Sequence, residues 1–230
     1  MIRALTFDLD DTLWPISPVM RTAETVLRAW FVRNAPRVAK RFDRDAMWAL
    51  RGELVDEAPE RAHDLSALRK AVIERALTRC GYPASMADEA YDLFYAARHE
   101  VSFFEDVLPA LRRLVDHYPM ATISNGSARV ERLGLRDYFR FSVFPHEVSR
   151  PKPHVEMFEL AAERFGLEPA EILHVGDNLD HDIVGAREAG FQVVWVNRNA
   201  HPAVEGVESV ACLNELADSL LADTGAALER

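Results

Sequence analysis

The sequence predicts an α/β protein with a parallel sheet and an α-helical segment inserted after the first strand. After about residue 105, short apolar strands alternate with amphipathic helices, which is the pattern of a parallel sheet covered on both faces. Residues 15–104 instead have an almost wholly helical pattern. The chain has 230 residues, more than the roughly 100–150 of a typical single domain. We therefore predict a sheet domain of residues 1–14 and 105–230 and a helical domain of residues 15–104.

The first strand is predicted at Ala4–Phe7, a short apolar run that stops at acidic residues and suits the centre of a sheet. In the helical segment, Asp64 is predicted to cap a helix that ends before Gly81. Apolar spacing predicts the helices of this segment at residues 19–33, 44–54, 65–80 and 86–100.

In the remainder of the chain, the sequence pattern predicts alternating strands and helices. Pro153 is expected in the first turn of one of these helices, and Gly166 directly after it. Strands are predicted at residues 120–123, 141–144, 172–175, 192–196 and 209–211. Helices are predicted at residues 106–117, 128–133, 153–165, 182–189 and 213–221.

Charge excludes some classes of partner. Lys and Arg number 27 against 37 for Asp and Glu, which gives a net charge of -10. Proteins that bind nucleic acid or anionic membrane as their main task need a surplus of cations. The helical segment is nearly neutral, with 14 basic and 13 acidic residues, so the acidity belongs to the sheet domain. A small phosphorylated substrate remains compatible, because one Lys and one divalent metal can reverse the local charge.

Cysteine usage and the N-terminal sequence predict a cytoplasmic protein. The two cysteines, Cys80 and Cys212, form neither a disulfide framework nor a zinc-binding pattern, which suits a reducing compartment. The first apolar run is too short for a signal peptide or a membrane span.

Asp8 and Asp10 directly follow the first strand. Residues two apart at a strand end project to the same face, so both carboxylates are expected at one site. Like charges at that distance favour a cation between them, and Mg²⁺ prefers carboxylate oxygens together with a substrate phosphate. The alternative is that these acidic residues only end the strand.

A second acidic group follows the strand at residues 172–175. Ligands of open parallel sheets bind at the carboxyl ends of the strands, which is expected to bring Asp177 beside Asp8 and Asp10. Asp180 and Asp182 have an alternative role as N-caps of the next helix, and for Asp180 we prefer that role.

Two further features suit an anion. Ser124, Asn125 and Gly126 follow the strand at 120–123, where a hydroxyl and the N–H groups of a helix start would form an anion cradle. Lys152 lies between Pro151 and Pro153, which stiffen the loop and favour a Lys aimed at a phosphate.

In this order, these residues resemble the haloacid dehalogenase (HAD) superfamily of phosphohydrolases. Its pattern is Asp-x-Asp-x-Thr, a Ser or Thr at a strand end, a Lys, and Gly-Asp followed by a further Asp. The matching residues are Asp8, Asp10, Thr12, Ser124, Lys152, Gly176, Asp177 and Asp182. The resemblance implies a Rossmann-like parallel sheet core, with residues 15–104 as the α-helical cap found in subfamily I.

The resemblance also implies a mechanism and a set of roles. Asp8 would form an aspartyl-phosphate, and Asp10 would act as general acid and base. Mg²⁺ would be held by Asp8, the backbone carbonyl of Asp10, and Asp177, with Asp182 close behind. The predicted phosphate- and substrate-binding residues are Thr12, which also orients the first loop, Ser124, Asn125 and Lys152.

Finer likeness points to a bacterial branch that acts on flavin mononucleotide (FMN) and on 5-amino-6-(5-phospho-D-ribitylamino)uracil. Pro18, Arg21 and residues 133–139 add to that likeness. The expected partner is therefore a small phosphorylated metabolite, and we expect a monomer or a weak homodimer. The alternatives are a phosphosugar phosphatase or mutase of the same fold, or a catalytically silent binding or scaffold member.

Overall fold

Strand β1, Ala4–Phe7, is fully buried and lies inside a six-stranded parallel sheet. The computed structural model describes residues 1–228, so the last two residues of the predicted sheet domain lie outside the described range. The strand order is β3-β2-β1-β4-β5-β6. The other strands are β2 Met120–Ile123, β3 Ser142–Val143, β4 Ile172–Gly176, β5 Gln192–Val196 and β6 Ser209–Val210. The predicted α/β fold class, a Rossmann-like parallel sheet, is confirmed.

The register of the central strands fixes where the site can form. Phe7 of β1 is aligned with Val175 of β4 and with Thr122 of β2. The residues that follow these three strands therefore leave the sheet at the same edge, which is where ligands of parallel sheets bind.

The chain divides into two units, one of Met1–Pro15 with the described residues from Ser102 onward, and one of Ile16–Val101. In the first unit, Phe158 and Trp195 belong to a buried apolar cluster. Apolar residues at helical spacing, such as Val107, Leu111 and Leu114, are also buried there. The helices of this unit are α6 Val107–Leu114, α7 Glu156–Phe165, α8 Gly185–Glu188 and α9 Leu213–Leu228.

The second unit is helical and has its own apolar core, to which Leu27, Ile73 and Leu77 belong. The Asp64 side chain accepts a hydrogen bond from Ala67 N at 2.9 Å, which confirms its predicted role as an N-cap. The helices are α1 Ile16–Asn34, α2 Pro36–Arg41, α3 Arg44–Glu57, α4 Leu65–Arg79 and α5 Met86–Ala97. No helix within residues 1–228 combines the length and the apolarity needed to cross a membrane.

Four local predictions differ from the structure. Helix α2 was missed, because it has only six residues and begins at Pro36 directly after α1. The predicted helix 128–133 is only a 3₁₀ turn, Val130–Leu133. The helix predicted from Pro153 begins at Glu156, because Pro151 and Pro153 keep the preceding segment extended or turned. The segment after β4 begins as a π-helical turn, Leu179–Val184, before α8.

Candidate active site

Three carboxylates meet at the carboxyl ends of β1 and β4. Asp8 continues β1, and its backbone N–H donates to Val175 O of β4 at 2.9 Å. Each of Asp8, Asp177 and Asp182 offers an oxygen, and these oxygens lie within 4.8 Å of one another. Asp8 and Asp182 are buried, and Asp177 is half-buried. Within the described part of the chain, the Asp10 carboxylate is not a member of this group, although Asp10 lines the same cleft.

Lys152 is the buried cation of the site, with only 4% of its surface exposed. Its ammonium group donates to Asp8 Oδ1 at 2.7 Å, to Asp182 Oδ1 at 2.6 Å and to Ile123 O at 2.7 Å. An ammonium group has three N–H donors, so these acceptors match its full capacity. The side chain is therefore fixed against Asp8 rather than free to sample solvent.

Lys152 contacts two of the three carboxylates, Asp8 and Asp182, and the pKa values of all three reflect the excess of negative charge. Burial raises the pKa of Asp8 well above its usual range, with Asp182 and Asp177 adding to the effect and Lys152 opposing it. Burial, followed by the charge of Asp182, raises the pKa of Asp177 to about 6. Burial is also the largest single influence on Asp182, but the charge of Lys152 and the hydrogen bonds from His174 and Lys152 together outweigh it and lower the pKa of Asp182.

This donor set fits a hard divalent cation. Three clustered carboxylate oxygens are the ligand type that Mg²⁺ prefers, and a second positive charge would let Asp8 and Asp177 ionise together with Asp182. Gly176 contributes space, because a Cβ at this position would lie 2.4 Å from the Asp182 carboxylate. The residues present therefore match the metal that the sequence predicts.

The Asp182 carboxylate is oriented by contacts with Asn178 and His174. Its Oδ2 accepts from Asn178 N at 3.0 Å, and its Oδ1 lies 3.3 Å from Nε2 of the fully buried His174. His174 Nδ1 lies 2.9 Å from Thr6 Oγ1. Burial lowers the pKa of His174, so a neutral ring that donates to Asp182 can accept from Thr6. His174 is thus a hydrogen-bonded core residue.

Thr12 contacts a carboxylate rather than the substrate cleft. The residue is fully buried, and its Oγ1 donates to Asp177 Oδ1 at 2.9 Å. Its hydroxyl proton is used by Asp177, and its roles in binding phosphate or substrate and in orienting the first loop stay predictions.

Ser124 and Asn125 lie where predicted, with different partners. The buried Ser124 Oγ accepts from Gly126 N at 3.0 Å. Both ends of the Asn125 amide are used by the backbone of Lys152, with Oδ1 accepting from Lys152 N at 3.1 Å and Nδ2 donating to Lys152 O at 2.8 Å. The Asn125 side chain therefore positions the lysine loop. The expected helix start behind the anion cradle is also absent, since only the 3₁₀ turn Val130–Leu133 follows in the described structure.

These residues surround a cleft of about 150 Å³. Asp11, one of the lining residues, has φ of 62°, a left-handed conformation that is uncommon for residues other than glycine and that clusters at active sites. The lining residues are Asp8, Asp10, Asp11, Ser124, Asn125, Gly126, Lys152, Asp177, Asn178, His181 and Asp182. The arrangement places the buried carboxylate of Asp8 beside a fixed cation, with a second carboxylate, Asp10, at the same cleft.

Sequence reasoning missed several supporting residues. Asn178, rather than Asp180, caps the turn after β4, with its Oδ1 accepting from Asp180 N at 3.1 Å and His181 N at 2.9 Å. The preferred capping role of Asp180 is therefore wrong. Trp195 Nε1 donates to Asp177 O at 2.8 Å. An Asn directly before a helical segment is a recognisable signal, whereas nothing in the sequence pairs Trp195 with Asp177.

Comparison with known proteins gives a family and several relatives. A family profile described as haloacid dehalogenase-like hydrolase matches residues 2–190. The 5-amino-6-(5-phospho-D-ribitylamino)uracil phosphatase YigB of Escherichia coli (strain K12) is 36% identical over 200 residues, which cover 85% of this chain and 83% of that protein. A glyceraldehyde 3-phosphate phosphatase of Methanopyrus kandleri is 29% identical over 216 residues, covering 89% of this chain and 88% of its own.

Among solved structures, the chain is similar to a 2-haloacid dehalogenase from Pseudomonas syringae pv. Tomato DC3000. The TM-score is 0.91 at 35% sequence identity, with 96% of this chain and 99% of the other covered.

Proposed function

The chain belongs to the haloacid dehalogenase-like hydrolases, and we propose that it hydrolyses small phosphomonoesters through a covalent intermediate on Asp8. The observation that carries this proposal is the buried contact of 2.7 Å between Asp8 and Lys152, beside Asp177 and Asp182. A carboxylate in this position can attack phosphorus, while the ammonium group stabilises charge on the phosphoryl oxygens.

The chemical steps use residues of this cleft. An Asp8 oxygen attacks phosphorus, so that a new P–O bond forms and the bond to the leaving alkoxide breaks, while Asp10 gives that alkoxide a proton. Asp10 then takes a proton from a water molecule, whose oxygen attacks phosphorus and breaks the bond to Asp8. Inorganic phosphate leaves, and both carboxylates return to their initial state. Ser124 and Lys152 hold the phosphoryl oxygens during both steps.

Mg²⁺ is the metal that we propose for the carboxylate cluster. Asp8, Asp177 and the backbone carbonyl of Asp10 would hold it, with Asp182 close behind. When bound, such an ion neutralises negative charge between the nucleophile and the phosphate. Asp182 keeps Lys152 in place, and Thr12 orients Asp177 through the hydrogen bond described above.

For the substrate, we propose FMN or 5-amino-6-(5-phospho-D-ribitylamino)uracil. The support is the 36% identity to a phosphatase named for the second compound, over most of both chains. A phosphosugar phosphatase or mutase, or a catalytically silent member, would share the fold. The relation to a 2-haloacid dehalogenase makes carbon–halogen hydrolysis a second candidate. Asp10 argues for phosphoryl transfer, because by the family resemblance dehalogenases lack this second aspartate.

We also propose that residues 15–104 act as a helical cap that excludes water from a core of residues 1–14 and 105–230 during turnover. The separate apolar core of the helical unit supports its action as one body. The free thiols of Cys80 and Cys212 suit the cytoplasm as the working location. A monomer or a weak homodimer acting on a small phosphorylated metabolite completes the proposal.

The test is a screen for phosphate release and halide release with Mg²⁺. Wild-type protein is assayed on p-nitrophenyl phosphate, the two proposed substrates, several sugar phosphates and 2-chloropropionate. We expect phosphate release that chelation stops and that Asp8→Asn lowers by about 10⁴-fold or more, since the nucleophile is lost. Asp88→Asn, on the surface of the helical unit, serves as the matched control.

Four results would overturn parts of this account. Absence of turnover on every phosphomonoester would refute the phosphatase proposal. Halide release without phosphate release would favour the dehalogenase. Equal kcat/KM for FMN, the uracil derivative and the sugar phosphates would refute the substrate proposal and leave the phosphatase proposal in place. Interconversion of sugar phosphates without free phosphate would indicate a mutase.

A further inference from the structure

We propose that Arg198 is a positioning residue for Asp177 and that it acts through Thr12. Arg198 lies in the loop after β5, outside every motif that the sequence analysis identified. It contacts neither the cleft nor the carboxylate cluster directly, so its effect must pass through another residue. The inference rests on the proposed function, because it assigns a role in holding the metal-binding carboxylate.

The Arg198 guanidinium group connects two segments. Its Nε and Nη2 donate to Thr12 O at 3.2 and 2.9 Å, and its Nη1 and Nη2 donate to the Asp106 carboxylate at 2.9 and 3.0 Å. Its central carbon lies 3.9 Å from the centroid of the Phe104 ring. The side chains of Arg198 and Asp106 are 13% and 12% exposed, so water competes weakly for these contacts. Because the guanidinium group is planar and bonds to several fixed partners, these contacts hold it in one orientation.

Asp106 is itself fixed, which prevents the pair from moving together. Its Oδ2 also accepts from Leu213 N at 2.6 Å, at the first residue of α9. Burial acts to raise the pKa of Asp106, but the hydrogen bonds from Arg198 and Leu213 outweigh it and lower that pKa. The partner carboxylate therefore stays ionised at neutral pH.

The next link runs from Thr12 to the metal-binding residue. Arg198 holds the Thr12 carbonyl, and the hydroxyl of the same residue donates to Asp177 Oδ1 at 2.9 Å. Trp195, three residues before Arg198, donates to the Asp177 backbone carbonyl at 2.8 Å. The end of β5 thus supports Asp177 at two places, its backbone directly and its side chain through Thr12. Groups that orient a ligating carboxylate affect metal affinity strongly.

Arg198 also joins the chain on both sides of the helical unit. Thr12 comes shortly before that unit, and Asp106 comes shortly after it. Phe104 N donates to Leu13 O at 3.1 Å, which gives these two segments a direct contact of their own. The competing explanation is that Arg198 only stabilises the packing of these two segments. The experiment must distinguish that structural role from positioning of Asp177.

Arg164 offers a matched control in the same unit. It donates to a backbone carbonyl, Ser142 O, at 3.0 Å, it pairs with the Glu147 carboxylate, and it lies 5.7 Å from the Phe141 ring centroid. These are the same three kinds of contact that Arg198 makes, and none of them leads to Thr12 or Asp177. Substitution of either arginine removes the same kinds of structural contact, with four hydrogen bonds lost for Arg198 and two for Arg164.

The experiment measures Mg²⁺ binding at equilibrium by calorimetry, without substrate, for wild type, Arg198→Ala and Arg164→Ala. We expect Arg198→Ala to weaken Mg²⁺ binding about 10-fold and Arg164→Ala to leave it unchanged. The Mg²⁺ concentration for half-maximal phosphate release should rise by the same factor only in Arg198→Ala. Ethylguanidinium in solution should restore the affinity of Arg198→Ala, because it can occupy the vacated place.

Equal Mg²⁺ affinity in the two variants would overturn the proposal and leave Arg198 with the structural role alone. If Arg198→Ala does not fold, Arg198→Lys provides the comparison, since one ammonium group can still reach the Thr12 carbonyl but cannot replace the fork. An intermediate loss of affinity would then support the proposal, and wild-type affinity would refute it. Absence of phosphate release by wild type would refute the proposed function instead, because the binding comparison does not depend on turnover.

Discussion

The two units differ most in what they bury. Among the described residues, the helical unit buries one polar or charged side chain, Arg98, and otherwise packs apolar residues in its core. The buried polar and charged residues of the sheet unit are Thr6, Asp8, Thr12, Thr122, Ser124, Lys152, His174 and Asp182. Most of these lie at the carboxyl ends of β1, β2 and β4 or contact residues there. The buried polar and charged residues of the sheet unit are thus concentrated around the cleft.

This difference separates stability from chemistry. Buried ion pairs contribute little net stability, since desolvation offsets their attraction, whereas burial of apolar surface is the main stabilising contribution. We therefore expect the contacts of Lys152 with Asp8 and Asp182 to serve the chemistry of the cleft. The apolar contacts of Ile73 are expected to stabilise the folded helical unit. Substitutions in the two units should consequently move different measured quantities.

The largest expected effect comes from removing the buried cation. Lys152→Met keeps the length of the side chain but removes three hydrogen bonds and the positive charge beside Asp8. We expect kcat/KM for phosphate release to fall about 10³-fold. Lys70→Met is the control, because Lys70 pairs with Asp88 on the surface of the helical unit. A similar loss of activity in both variants would contradict the division between the units.

A smaller effect, on stability rather than on activity, is expected from a substitution in the core of the helical unit. Ile73 is fully buried, and Ile73→Ala should lower the free energy of unfolding by about 2–5 kcal/mol through lost burial and a cavity. The exposed Val32 of α1 supplies the control, with Val32→Ala expected to change that free energy by no more than about 0.5 kcal/mol. Denaturant unfolding measures both. Below the unfolding transition, kcat should be unchanged in Ile73→Ala, and a loss of kcat without loss of stability would count against the comparison.

The position of the site could be predicted from sequence, and most of its hydrogen bonds could not. Asp8, Ser124 and Asp177 each follow an apolar strand, and the carboxyl ends of parallel strands share one edge, so their proximity follows from the order of elements. Lys152 follows from the family pattern. The strands near these residues were also predicted within one or two residues of their observed bounds.

The partners of Thr12 and Asn125 depend on contacts between segments that are distant in sequence. Thr12 bonds to a residue 165 positions away, and Asn125 to one 27 positions away. A hydroxyl or an amide near an anion site has several possible acceptors, and local sequence does not select among them. Arg198 was missed for the same reason, since its partners Thr12 and Asp106 meet only in the folded chain.

The central claim, that Asp8 carries the phosphoryl group, can be tested by trapping the intermediate. The protein is mixed with substrate and Mg²⁺, quenched in acid during turnover, reduced with borohydride and digested, and the peptide containing Asp8 is analysed by mass spectrometry. An aspartyl-phosphate at Asp8 predicts that position 8 is converted to homoserine, in wild type and not in Lys152→Met. Turnover with an unmodified position 8, or with reduction at Asp10 instead, would contradict the account.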